Sequence, residues 1–293
     1  MFIDSKNRIK SGECDEFIKK YKWILIDEYQ DFSRLFYELI VAIKNRNPSL
    51  KVFCVGDNCQ AINRFAGSDP IYFDEFDRYF TNSSKYYITT TYRSDSNIVL
   101  KANAFMNRIP NAGATSKCRS KEQGTFERHY INKVYMNPYE TLYRKLFDGE
   151  ECIWQTSMST SSKVDAARYV RKIIEITKTL PENEKIMILS RTNLIFDKTT
   201  DQFKRIIEKI CERKIEVKTI HKSKGEEANV VIILQVDEGN IPMLHPDVCL
   251  FQVFGEDEKT QMIDEMKLFY VAITRAKNQL YVSCDEDSKS SFA

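Results

Sequence analysis

The chain has 293 residues, enough for one large or two ordinary domains whose core needs no staples. Its hydrophobic share of 42% and charged share of 29% are those of an ordinary globular protein. A net charge of +2 excludes a bulk polybasic binder, so any nucleic-acid binding has to rest on a local groove. The start, "MFIDSKNRIKSGECDEF", is polar and has no apolar signal-peptide core. No apolar run approaches the roughly 18 residues of a membrane span, so no membrane partner is expected. The eight cysteines form no CxxC pair and have no matching histidine cluster. "CVGDNC" has the wrong spacing for a zinc knuckle. They read as reduced, mostly buried thiols of a cytoplasmic protein.

Strand and helix alternate along the chain, which argues for an α/β architecture with parallel sheet. "WILID", residues 23–27, is a continuous apolar strand of the kind expected when both sheet faces are covered. Ser33 is placed to cap the next helix, with Leu35, Phe36, Leu39, Ile40 and Ile43 on one face. "KVFCVGD" is a second short buried strand. Residues 94–109 read as a helix with a stripe of Ile98, Ala102, Phe105, Met106 and Ile109. "NAGATSKCRSKEQG" reads as a loop. "ECIWQT" and "KIMILSRT" are expected strands around a helix from Lys163 to Leu180. A further helix carries Phe203, Ile206, Ile207, Ile210 and Cys211. Strands "EVKTIH" and "NVVIILQV" follow, then a long acidic loop, a helix over "DEMKLFYVAITRAK" and a strand "QLYVSC". The tail "DEDSKSSFA" is expected to fray.

The first strand runs straight into two acids, Asp27 and Glu28. A carboxylate at the C-terminal end of a parallel strand sits where such sheets bind ligands. Asp27 is suited to hold Mg²⁺, largely through water. Glu28 is suited to orient and deprotonate an attacking water. The plain alternative is a strand followed by a solvated acidic turn.

Six segments, in order, decide between these. "WILIDEYQDFS", "VFCVGDNCQAINRFAGS", "TTTYRSDSNIV", "ILSRTN", "VKTIHKSKGEEANVVII" and "KLFYVAITRAKNQLYVS" resemble motifs II, III, IV, IVa, V and VI of the UvrD/Rep group of superfamily 1 DNA helicases. The resemblance covers residues from about 20 to 285. It implies two RecA-like parallel-sheet domains, the first N-terminally incomplete: residues 1–88 with motifs II and III, and residues 89–293 with motifs IV to VI. The interval from Arg191 to Val217 is short, so the large subdomain that the family often inserts there is expected to be absent.

The resemblance also implies roles. Asp27 would ligate Mg²⁺ and Glu28 would be the catalytic base. Gln30 and Gln60 would sense the γ-phosphate of ATP. Tyr92 would stack on adenine, Glu227 would take the ribose hydroxyl, and Asp57 and Gly225 would join the nucleotide-binding set. Arg93 and Arg275 would reach the γ-phosphate from the second domain, as cations aimed at charge that develops in phosphoryl transfer. Along single-stranded DNA would lie His221, Ser223 and Lys224, with Arg191 on the backbone. Phe65 would stack on a base where the family usually has tryptophan. The plain alternatives are a core Phe65 and a structural His221.

The sequence departs from the family in three places. Motif III has Asn63 for tyrosine and Ala66 for arginine, and motif V reads Gly225, Glu226, Glu227, Ala228 in place of Gly-Leu-Glu-Phe. The third departure is the phosphate loop, which needs Gly-Lys-Ser/Thr at a helix start. None of the nine glycines is followed by lysine. The family's loop lies far upstream of motif II, where this sequence has only residues 1–22, so the loop is expected outside the chain. Two readings stay open. One is the C-terminal part of an ATP-dependent 3′→5′ translocase, either a truncated gene product or half of a split enzyme whose partner polypeptide carries the phosphate loop. The other is a catalytically inactive DNA- or protein-binding module.

Overall fold

The computed structural model describes residues 2–131, 160–192, 200–244 and 257–293. The chain divides into two compact units, Met1–Ile88 with Ile109–Ala114, and Thr89–Arg108 with Thr115–Ala293.

In the first unit the order is α1 (Phe2–Ser11), α2 (Asp15–Ile18), β1 (Trp23–Ile26), α3 (Arg34–Arg46), β2 (Lys51–Cys54), α4 (Ile71–Asp74) and α5 (Phe76–Tyr79). Branched and aromatic residues favour the two strands. They pair in parallel, Trp23 beside Lys51 and Leu25 beside Phe53. Ile24, Ile26, Val52 and Cys54 point one way, into an aromatic core of Tyr29, Phe32, Tyr72 and Phe80 with Ile40 of α3. Ser33 caps α3 as its position suggested, accepting from the Phe36 amide at 3.4 Å. Asn47 ends that helix and is buried. Its amide donates to the carbonyls of Ile18 at 3.1 Å and Tyr21 at 2.9 Å, tying α3 to the approach to β1. Ile9 of α1 and Ile18 of α2 cluster with Ala42 and seal both helices against α3.

Two expectations for this unit do not hold. Neither β1 nor the strand expected to be buried at "KVFCVGD" is covered on both faces: Trp23 is 52% exposed, Leu25 73% and Phe53 53%. Successive strand residues point to opposite faces, and only one face is packed here. In α3 the buried stripe is Ile40 and Ala42 with Leu39 and Ile43 partly buried, while Leu35 and Phe36 face outward.

The second unit holds β3 (Thr90–Thr91), α6 (Ser96–Met106), β4 (Lys117–Cys118), β5 (Thr125–Ile131), α7 (Thr160–Lys178), β6 (Ile186–Ser190), α8 (Thr200–Cys211), β7 (Ile215–Thr219), β8 (Ala228–Ile233), α9 (Glu258–Ile273) and β9 (Ala276–Asp285). Its main sheet is five-stranded, in the order β5-β9-β8-β6-β7, and every pairing is parallel. A parallel sheet is normally covered on both faces, and this one is. Val170, Ile173 and Ile176 of α7 and Ile207 of α8 pack with Ile186, Ile188, Val230 and Ile232. The alternate residues Met187, Leu189, Val231, Ile233 and Leu280 are fully buried too. Phe105 of α6 meets Phe269 of α9 and Phe292 of the tail, ring centroids 5.1 Å apart in each case.

Three expectations shift in this unit. The tail is anchored, since Phe292 is buried. The last helix stops at Ile273, so Ala276 and Lys277 already belong to β9 and Arg275 sits in the turn between them. β5 arises from "TFERHYI", which the sequence reading passed over. The expected strand "ECIWQT" lies outside the described residues, as do the side chains of Phe203 and Ile206. Among the described cysteines only Cys59 and Cys284 are buried, and Cys14, Cys54, Cys118 and Cys211 are partly so. Among the described residues no helix is long and apolar enough to cross a membrane.

Candidate functional site

In the first unit the expected residues collect where β1 and β2 end. Asp27 is exposed and its carboxylate accepts from the Glu28 amide at 2.8 Å. Glu28 turns the chain with φ of 50°, a left-handed conformation uncommon for a residue with a side chain and concentrated at functional sites. Gln30 is buried beneath it. Its Nε2 donates to the Glu28 carboxylate, and its Oε1 accepts from the Asp57 amide at 3.0 Å. The Asp57 carboxylate accepts from the Cys59 amide at 3.0 Å and from Gln60 Nε2 at 2.8 Å. Glu28, Gln30, Asp57 and Gln60 therefore form one hydrogen-bonded chain across the ends of both strands. Gly56 makes it possible: a Cβ there would lie 2.5 Å from Gln30 Oε1 and 3.0 Å from the Tyr29 amide. Asn63, which replaces the family's tyrosine, donates to Asp31 at 3.0 Å. Phe65 is 78% exposed, which removes the reading of it as a core residue.

In the second unit Arg93 and Glu227 meet. Arg93 Nε donates to Glu227 Oε2 at 2.8 Å, and its Nη1 donates to the Thr274 carbonyl at 3.2 Å. Lys277 Nζ lies 2.5 Å from the other oxygen of Glu227. The bond from Lys277, and then that from Arg93, hold the Glu227 carboxyl below the usual carboxylate range. Tyr92 beside them is exposed. The additional acid of motif V, Glu226, turns aside to pair with Lys218 of β7. Gly225 takes φ of 82°, which requires glycine at the entry to this turn. The strand–helix junction is pinned from several sides: Ser94 Oγ donates to the Ala276 carbonyl at 2.5 Å, and Asn278 donates to Asp95 at 3.0 Å.

Arg275 is placed differently from the expectation of a projecting cation. It is fully buried. Its Nε donates to the Val271 carbonyl at 3.0 Å, its Nη1 to the Glu226 carbonyl at 3.1 Å and its Nη2 to Thr274 Oγ1 at 3.2 Å. In this arrangement the guanidinium ties the last turn of α9 to the backbone of motif V.

The expected DNA contacts divide in the same way. Ser223 is fully buried and its hydroxyl donates to the Ile220 carbonyl at 2.7 Å. Arg191 grips Glu265 of α9 through Nε at 2.9 Å and Nη2 at 2.7 Å. The Glu265 carboxylate also accepts from the Met243 amide at 3.1 Å. Burial, and next the positive charge of Arg191, push the His221 imidazole down to about 4, so it is neutral near pH 7. Phe65 and Lys224 remain accessible, the latter in part. Lys277 and Glu265 are the members that sequence reasoning missed. Both stand inside the last quoted helix and strand, and their only signal is a charge opposite to that of a residue already singled out.

Both units are thus parallel-sheet α/β folds, the RecA-like class, with expected functional groups gathered at the ends of strands. The chain belongs to the UvrD/Rep family of helicases. The family's UvrD-like helicase C-terminal domain matches residues 133–287, more than half of the chain, and the UvrD/REP helicase N-terminal domain matches residues 8–81. DNA helicase IV of Escherichia coli (strain K12) is 28% identical over 283 residues, 96% of this chain and 36% of that one. A probable DNA helicase of Mycoplasma pneumoniae is 27% identical over 269 residues, 91% of this chain and 44% of that one. ATP-dependent DNA helicase PcrA of Bacillus subtilis is 30% identical over 112 residues, 38% of this chain and 15% of that one. The chain spans less than half the length of these relatives.

Proposed function

We propose that the chain is the C-terminal part of an ATP-dependent translocase that moves 3′→5′ on single-stranded DNA and couples hydrolysis to unwinding when a phosphate loop is supplied. The observation that carries the reading is the chain Glu28–Gln30–Asp57–Gln60. It links the expected base to both expected phosphate sensors, so a change at one end is felt at the other. Asp27 is the residue to hold Mg²⁺, an ion that keeps several waters and takes one or two carboxylates. Glu28 beside it holds the attacking water and accepts its proton. Arg93 supplies the accessible cation, and Tyr92 offers an exposed ring to the base. Arg275 acts from beneath, by fixing motif V. The reading places the chain in the cytoplasm, where thiols stay reduced. Burial pushes the Cys54 thiol beside this rim up to about 12, which keeps it inert.

Mg²⁺-dependent ATP hydrolysis by the purified chain, with and without single-stranded DNA and with and without a polypeptide that carries a phosphate loop, tests the reading. Hydrolysis is expected only with that polypeptide, and Glu28→Gln is expected to lower it at least about a hundredfold, the low end for a lost general base. Hydrolysis that survives Glu28→Gln overturns the assignment. The second reading, an inactive binding module, is favoured by Asn63 and Ala66, which stand where the family has tyrosine and arginine. It requires DNA affinity to be indifferent to ATP, and an ATP-dependent change in that affinity eliminates it.

A further inference from the structure

β5 is one edge of the five-stranded sheet, and β7, which leads into the motif V turn, is the other. Alternate residues of a strand share a face, so Phe126, Arg128 and Tyr130 point one way while Glu127 and His129 point the other. On that second face the Glu127 carboxylate lies 3.1 Å from His129 Nε2. The strand therefore sorts its cation and its flat rings to one side and its acid to the other. Beside the first row run Leu280, Val282 and Cys284 of β9, all buried.

Further cations join this row from two other segments. Lys101 Nζ of α6 lies 5.1 Å from the Phe126 ring centroid, and the Arg128 guanidinium 5.9 Å from it. Lys289 Nζ of the tail lies 6.0 Å from the Tyr130 centroid. Arg108, just past α6, lies 5.1 Å from the Phe105 ring and 5.5 Å from the Phe292 ring. It also donates at 3.1 Å to the carbonyl of Ser291, two residues on from Lys289. Significant cation–π contacts occur about once per 70–80 residues, so their gathering on one surface sets it apart. All four cations are exposed, and among the described residues none is salt-bridged. Burial and then Asp237 raise the Cys284 thiol, while Arg128 and Lys289 both pull it down, so the two charges bear on one point. Asp237 and Asp285, which also act on that thiol, accept from the Tyr169 hydroxyl at 3.1 Å and the Asp287 amide at 3.0 Å.

We propose that this edge binds single-stranded nucleic acid, at a place separate from the motif V turn. Ammonium and guanidinium groups neutralise phosphates. The Tyr130 ring and the Arg128 plane offer flat faces to unstacked bases, the combination that holds single strands without regard to sequence. From Phe126 to Tyr130 the strand rises about 13 Å, room for several nucleotides at roughly 3.4 Å each. An acidic polypeptide meets the cations but makes no use of the flat faces, and a duplex keeps its bases stacked inside. The inference stands on this surface alone and is independent of the ATP-dependent reading above.

The test irradiates the purified full chain with an oligothymidine that carries 5-iodouracil and locates the adducts by mass spectrometry. An adduct in the segment around Tyr130 is expected. Arg128→Glu with Lys289→Glu, on side chains already in solvent, should leave the unfolding midpoint unchanged and cut that adduct at least tenfold. Phe65→Ala with Lys224→Ala should leave the adduct in place. In that doubly substituted chain, Tyr130→Ala should weaken the remaining oligothymidine binding about fivefold or more, the low end for one stacked base, and Tyr130→Phe should not. No adduct around Tyr130, or one lost with Phe65→Ala and Lys224→Ala, overturns the proposal. Displacement of the adduct by polyglutamate of equal charge as readily as by unlabelled oligothymidine overturns it in favour of an acidic polypeptide. Equal displacement by a blunt duplex overturns it in favour of phosphate contacts alone.

Discussion

Arg191 and Glu265 are only 16% and 7% exposed, so each carboxylate–guanidinium bond is made away from most of the solvent. Removing one member of such a pair leaves the other charge buried and uncompensated, at about 3–5 kcal/mol. Arg191→Ala is therefore expected to lower the urea unfolding free energy by roughly that amount, and Glu265→Ala likewise. The double substitution should cost clearly less than the sum, because no stranded charge remains. Additive losses would show that the pair is not a unit. His221 responds to the same arginine. Its folded pKa of about 4 lies below the ordinary histidine value of 6.5, so folding favours the neutral ring. That contribution is fully present above pH 6.5 and is lost as pH falls through 6.5 toward 4. The ring resonances of His221 should titrate near 4, and Arg191→Met should move that midpoint up; a midpoint near 6.5 in the intact chain would contradict the placement. Residue types marked Arg191, His221 and Ser223 as members of a site. What the types could not show is that two of the three spend their polar atoms inside the fold.

Gly56 shows how an element depends on one missing atom. Gly56-Asp57 follows β2 so that the Asp57 amide can reach Gln30, and an added Cβ meets Gln30 Oε1 and the Tyr29 backbone. Overpacking of this kind costs about 1–3 kcal/mol. Gly56→Ala is expected to lose that much in urea unfolding and to break the link from Glu28 to Gln60. The same substitution with Gln30→Ala should recover part of the loss, since the nearest obstacle is gone, and no recovery would place the strain in the backbone. Strands β1, β2, β7 and β8 were legible because their apolar residues run up to Gly, Asp or His, and β6 because its run stops at Ser190-Arg191. β5 was not, because Glu127, Arg128 and His129 interrupt its apolar residues and hide the alternation. The end of α9 was hidden for another reason: "VAITRAK" keeps a helical apolar spacing past Ile273, and the Arg275 side chain closes the helix by bonding its own last turn. The unpaired face of β1 could not be read from composition, since a buried and a bare apolar strand look alike.

At the scale of the whole molecule, a net charge of +2 spread over 86 charged side chains gives little long-range attraction for DNA. Binding then depends on which cations are accessible. A lysine that neutralises one phosphate of a single strand releases counterions and contributes about 0.7 to the slope of log affinity against log salt. Lys224→Ala is expected to weaken binding to an oligothymidine and to flatten that slope by about this amount. Phe65→Ala should weaken binding by about 1–3 kcal/mol with the slope unchanged, because stacking releases no counterion. Arg191→Ala should leave the slope unchanged, because the guanidinium is already neutralised by Glu265. Fluorescence anisotropy across a salt series measures all three. A flatter slope for Arg191→Ala would mean that DNA draws Arg191 off Glu265, and that the buried pair is an off state of the DNA site rather than a fixed strut. A slope unmoved by Lys224→Ala would take the motif V turn out of the DNA path altogether.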